Sequence, residues 1–240
     1  MDSIWIIATL CAFFIKGLCG FANSLIFTSV LSFSQNNINI SPVELVLGYP
    51  SNLIQAWKGR EDIKWKLCLP PMILILLGNI PGILFLKNAD VQGLKIVLGI
   101  VVAAIGIEML LRDLSTKKWK ESKILLGIIG ILSGVICGMF GIGAPLGAYI
   151  GKTTDDTKSF KANIGVIFLV ENTFRIIMYA FMGIVTLKTV RQSVVLMPLM
   201  LLAMFAGMAG SKVLSEKIIK KLVIILLLII SGAALVVQNL

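Results

Sequence analysis

The amino-acid sequence predicts an all-α integral membrane protein made of two four-segment inverted repeats, each with a broken or re-entrant first helix. Three observations lead there. The 240 residues are 58% hydrophobic and 14% charged, with a mean hydropathy of +0.97, too apolar for a globule in water. Several apolar runs continue uncharged for about 20 residues, enough to cross roughly 30 Å of hydrocarbon as a helix, and none alternates at period two as a barrel strand does. Finally, a glycine-rich interruption occurs twice at corresponding places.

The first segment, Ile4 to Phe33, lacks a basic leader and a small-residue cleavage site, so no removable signal peptide is expected. Within it KGLCGFANSLIFTSVL, Lys16 to Leu31, puts a lysine, polar side chains and two glycines where hydropathy alone would draw one helix. Split there, the arms Ser3 to Ile15 and Ala22 to Phe33 each come near the roughly 10–14 residues of a re-entrant segment. Ser41 to Trp57 carries Asn52 and Gln55. Its Glu44, close to the segment's start, is expected to be wet or structural, with the option of carrying a proton in a coupled cycle. Leu67 to Leu86 and Ile96 to Leu111 follow, the latter with Glu108 near its end. The charged stretch RDLSTKKWKESK then separates residues 1–111 from residues 124–240 as a cytoplasmic linker over 112–123.

The fifth segment, Ile124 to Gly151, is 28 residues without a charge. As one straight helix it would run ~42 Å and overshoot the bilayer, so a break between Gly138 and Gly143 is expected, with Pro145 in the first turn of the second arm. The sixth segment, Ala162 to Leu187, holds VENTFRII, and the seventh and eighth run from Gln192 to Ser211 and Leu222 to Val237. Trp5, Trp57, Trp65 and Trp119 are expected as interfacial anchors.

Duplication is visible when Gly17 and Gly20 are set against Gly138 and Gly141. Asn52 then falls beside Asn172 and Gln55 beside Arg175. Loop charge orients the halves, because Lys and Arg favour the cytoplasmic side of short loops. If all eight segments cross, 11 loop cations lie inside and 9 outside; if the fifth segment enters and returns on the cytoplasmic side, the split is 16 to 4. The second arrangement is preferred. With three crossings per half, the second half is inverted, an architecture shared by many secondary transporters.

Irregular backbone at membrane depth must be buried in protein or line a wet cavity, so both breaks are candidate site walls. A half-helix N-terminus there offers free N–H groups to an anion. The expected substrate-binding residues are Arg175, Asn172, Asn52, Gln55, Asn23, Ser24, Lys16, Gly20, Gly141, Gly143 and Pro145, with Arg175 as the anion fork and Glu171 as a proton carrier. Blander readings stay open. The glycines can serve close helix packing, Glu171 and Arg175 can neutralise each other at i,i+4, and Lys16 can snorkel to a surface. The four cysteines, all in apolar segments without a CxxC spacing, read as small buried hydrophobes.

Two halves of about 120 residues, each opening on a G-x-x-G-F/I break (Gly17 and Gly20, Gly138 and Gly141, with Gly143 beyond) around a charged middle linker, resemble the TauE/SafE family across essentially the whole chain. Ala22, Asn23, Ser24 and Ala144 stand where that family often has further glycines. The resemblance implies export of sulfite, an organosulfonate or a related small sulfur-containing anion. An anion channel, or a transporter of a carboxylate or other small organic anion, is the alternative. No enzymatic activity, cofactor or metal is expected: there is no histidine and no nucleotide-binding motif. The expected partners are a small anion and the lipid bilayer of a bacterial cytoplasmic membrane, with a homodimer left open. The net charge of +10 is spread over short loops and does not indicate nucleic acid.

Overall fold

The computed structural model describes residues 3–114, 123–154 and 156–213. Among them are nine α-helices and no strand: α1 Ser3–Cys19, α2 Asn23–Ser32, α3 Asn37–Lys58, α4 Trp65–Asn88, α5 Val91–Leu114, α6 Lys123–Phe140, α7 Ala144–Thr153, α8 Thr157–Phe181 and α9 Leu187–Gly210. Four of these, α4, α6, α8 and α9, are long and apolar enough to cross a membrane. The predicted eighth segment and Trp119 lie outside the described residues. Arg112 to Leu114, the opening residues of the expected linker 112–123, are helical within α5, and Lys123, its last residue, opens α6.

The helices sort by which face can tolerate lipid. On α4, Leu69, Ile73, Leu77, Ile80 and Leu84 recur at three- and four-residue spacing and are exposed, while Ile75, Gly78, Gly82 and Ile83 are buried. By contrast, α3 buries Ser41, Glu44, Ser51, Asn52 and Gln55, so it belongs at the centre, where it packs on α8. Trp5 is a correction to the anchor reading. It is 4% exposed and lies edge-on to Phe27 at 5.9 Å, because α2 folds back along α1 and covers it. Trp57 and Trp65 are exposed, as an interfacial role requires.

Both glycine motifs break the chain, but not at every glycine. The first break falls between Cys19 and Asn23, where Gly20 has φ 90° and Ala22 φ 72°; the second follows Phe140, where Gly141 has φ 75°. Within the two motifs these positions occupy the left-handed region that favours glycine. Gly17 and Gly138, expected to be part of the breaks, are helical instead and serve packing. A Cβ on Gly17 would come within 2.9 Å of the backbone of Met204, Gly207 and Met208 on α9, and one on Gly138 within 2.9 Å of Asn79 and Ile83 on α4. Gly207 abuts Phe14 in return, and Gly82 abuts Val135. Thus α1 lies on α9 as α6 lies on α4, with glycine on both sides of each seam, letting the backbones approach where side chains would hold them apart.

Tips and arms interlock. Thr28 on α2 donates to the carbonyl of Phe140 at the second break (3.1 Å), and Gly147 on α7 sits beside the ring of Phe21 in the first. At one end of the molecule the loop after α3 meets the start of α8: Lys158 Nζ is 3.0 Å from Asp62 Oδ2, and the Lys64 N–H donates to Asn163 Oδ1 at 2.7 Å.

Candidate functional site

A helix that ends inside the protein leaves its last carbonyls unpaired. At the end of α6 four different side chains donate to the last four carbonyls. Arg175 Nη1 donates to Cys137 O (2.8 Å), Tyr179 to Gly138 O (2.8 Å), Ser41 to Met139 O (3.0 Å) and Thr28 to Phe140 O (3.1 Å). The end of α1 is treated likewise. Lys161 Nζ donates to Leu18 O at 2.8 Å and Gln55 Nε2 to Gly20 O at 2.9 Å, with Gln55 also reaching Lys161 O at 2.7 Å. In both cases a cation stands at the negative end of a helix dipole.

The half-helices that resume after the breaks are left open at their positive ends. The caps of α2 and α7, Ala22 and Gly143, make no side-chain capping bond, and Pro145 occupies the first turn of α7. Both N-termini border one pocket. Its walls include Lys16 from α1, Phe21 and Ala22 to Leu25 around the first break, Glu44 and Asn52 from α3, Gly141 to Ala144, and Phe168, Glu171 and Asn172 from α8.

Beneath the pocket runs a buried ionic network. Arg175, 1% exposed, places Nη2 3.1 Å from Glu44 Oε2 and Nε 3.3 Å from Glu171 Oε1, and its Nη2 also donates to Asn172 Oδ1 at 3.2 Å. Glu171 Oε1 accepts a hydrogen bond from Asn79 Nδ2 (2.9 Å), while Glu44 Oε1 accepts from Asn23 Nδ2 (2.9 Å) and Ser24 Oγ (2.5 Å). Among the described residues Lys16 makes no ion pair. Its Nζ donates to Asn52 Oδ1 and, at 3.2 Å, to Asn23 Oδ1, with the side chain 2% exposed. Two cations and two carboxylates therefore share one buried cluster, bridged by the amides of Asn23, Asn52, Asn79 and Asn172.

A profile of the family Sulfite exporter TauE/SafE matches residues 5–234, nearly the entire length. The chain belongs to this family. Comparison with curated proteins and with solved structures returned no match. As a TauE/SafE protein it is a multi-pass membrane transporter rather than an enzyme.

In this TauE/SafE chain the expected site residues divide into two groups. Lys16, Asn23, Ser24, Asn52, Gly141, Gly143, Glu171 and Asn172 line the pocket. Gly20, Gln55, Pro145 and Arg175 stand behind it, with Gln55 bracing the first break and Gly20 holding the turn. Arg175, expected to fork onto a free anion, has its donors aimed at two carboxylates, an amide and a carbonyl of the protein itself. Lys16 does not snorkel. Glu44 is neither wet nor terminal, because α3 starts at Asn37 and carries it two turns inside, where Arg175 meets it. Sequence reasoning misses Asn79 and Tyr179; Asn79 is the one polar residue inside the otherwise apolar segment Leu67 to Leu86, which is a usable signal.

Proposed function

We propose that this chain is a secondary transporter of the bacterial cytoplasmic membrane that exports a small sulfur-containing anion such as sulfite or an organosulfonate. The anion occupies the pocket between α2 and α7. One observation carries this reading: two uncapped half-helix N-termini and the ammonium of Lys16 converge on a single pocket. Each half-helix end contributes free N–H groups and a partial positive charge, and Lys16 adds a full one, so a compact oxyanion finds donors there in place of its hydration shell. Phe21 and Phe168 suit the short apolar part of a sulfonate.

The cycle is alternating access between two inverted repeats, residues 1–111 and 124–240, joined by the cytoplasmic linker 112–123. The matched seams of α1 on α9 and α6 on α4, and the reciprocal contact of each break with the other hairpin's second arm, support duplication. The pocket then lies where the two hairpin tips pass, as transporters with discontinuous helices place their substrates.

Uptake of sulfite and of methanesulfonate into proteoliposomes, in both directions, tests the proposal. Lys16→Met should weaken half-saturation by about 10–100-fold, the loss of one hydrogen bond to a charged group in a desolvated site. Transport by Lys16→Met at the wild-type half-saturation, with the variant monodisperse by gel filtration, would remove Lys16 from the anion's shell.

A further inference from the structure

We infer that Glu44 is a tethered competitor for the anion's own donors, so that an anion binds only together with one proton taken up by Glu44. This inference rests on the proposed anion pocket and specifies its coupling. Glu44 is the carboxylate that bridges both breaks. Its Oε1 accepts from Asn23 Nδ2 and Ser24 Oγ at the mouth of α2, and its Oε2 faces Arg175 Nη2 beside Gly141. Those α2 donors are the ones a bound oxyanion needs, because they point into the pocket at the open helix end.

Charge balance gives a second, independent reason. Lys16 and Arg175 against Glu44 and Glu171 already sum to zero within a buried cluster, so a monoanion would add an uncompensated charge to a low-dielectric site. A proton from the aqueous phase that converts the Glu44 carboxylate to the neutral acid restores neutrality and frees Ser24 and Asn23 for the substrate. On release at the other face, the acid returns its proton to water and the carboxylate reclaims its donors. The titratable or charged groups that sense Glu44 are Lys16 on α1, Cys137 on α6, and Glu171, Arg175 and Tyr179 on α8. Glu171, which the sequence singles out as proton carrier, spends Oε1 on Asn79 and Arg175 and holds no donor of the α2 terminus. One proton with one monoanion makes an electroneutral load, so the membrane potential does no net work on it and direction follows the two concentration gradients.

The experiment is calorimetric titration of the purified full chain with methanesulfonate, which stays ionised throughout, between about pH 5.5 and 8.5 in buffers of different ionisation enthalpy. Wild-type affinity should tighten by up to about tenfold per unit fall in pH, with uptake of one proton per anion. Glu44→Gln should bind with little pH dependence and near the acidic limit of the wild type. The proton count on wild-type protein decides the matter even if a variant fails to fold. Should only sulfite bind, the same count, corrected for sulfite's own titration, applies. Flat, proton-free binding by the wild type, or a slope retained in Glu44→Gln, overturns the inference while leaving the anion pocket intact. Absence of saturable binding for both anions removes the pocket and the inference with it.

Discussion

At Arg175 a single guanidinium is shared by Glu44, Glu171, Asn172 and the end of α6. Removing one member of a buried ionic cluster leaves the others uncompensated, which typically costs about 3–5 kcal/mol, whereas neutralising all members together is far milder. Arg175→Met should accordingly destabilise by about 3–5 kcal/mol in SDS unfolding titrations, and adding Glu44→Gln and Glu171→Gln should return at least half of it. Simple additivity of the three changes would mean that the cluster is not energetically joined. The sequence made half of this network legible. Glu171 and Arg175 pair within one helix, so i,i+4 spacing exposes them, but Glu44 is 131 residues from its partner and its helix begins in the polar-looking NINI before Ser41. Residue types reveal donors and charges; they do not reveal that Arg175's acceptors are supplied by the protein itself.

Among helices, glycine was legible as a motif but not as a mechanism. Gly17 and Gly20 look alike in KGLCG, yet one meets the α9 backbone and the other turns the chain at φ 90°. Which face of α1 a glycine occupies depends on the partner helix, and local spacing carries no information about that partner. Ala22 at φ 72° is a non-glycine residue in the same left-handed region, and it is held there by burial on both sides of the break. The seams yield a graded test. Gly17→Ala, Gly82→Ala, Gly138→Ala and Gly207→Ala should each lose about 1–3 kcal/mol, because a methyl group would press on backbone that cannot swing away. Gly127→Ala and Gly99→Ala, whose added Cβ meets nothing within 4 Å, should be neutral or gain up to about 1 kcal/mol of helix propensity. Equal losses at all six positions, read by the same SDS titration, would show that the close approach of α1 to α9 and of α6 to α4 contributes nothing special.

At the scale of the molecule, loop charge and tertiary contact bear on the same question by separate routes. The lysines and arginines favour a fifth segment that returns to its own side. That arrangement puts the loop after α3 and the start of α8 on one face, whereas eight full crossings would put them on opposite faces. Lys158 and Asp62 lie 3.0 Å apart, a contact that two loops on opposite sides of a bilayer cannot make. In a background with the four native cysteines replaced, Asp62→Cys and Lys158→Cys should be labelled by a membrane-impermeant maleimide from the cytoplasmic face, and Lys188→Cys from the other. The double variant Asp62→Cys/Lys158→Cys should also cross-link with a short bifunctional thiol reagent. Labelling of Lys158→Cys from the face opposite to Asp62→Cys would force α6 and α7 to cross as one span, and with that the second half would no longer mirror the first. Because α7 could not then fold back toward Phe21, the two open helix ends would no longer meet, so this measurement tests the pocket as well as the topology.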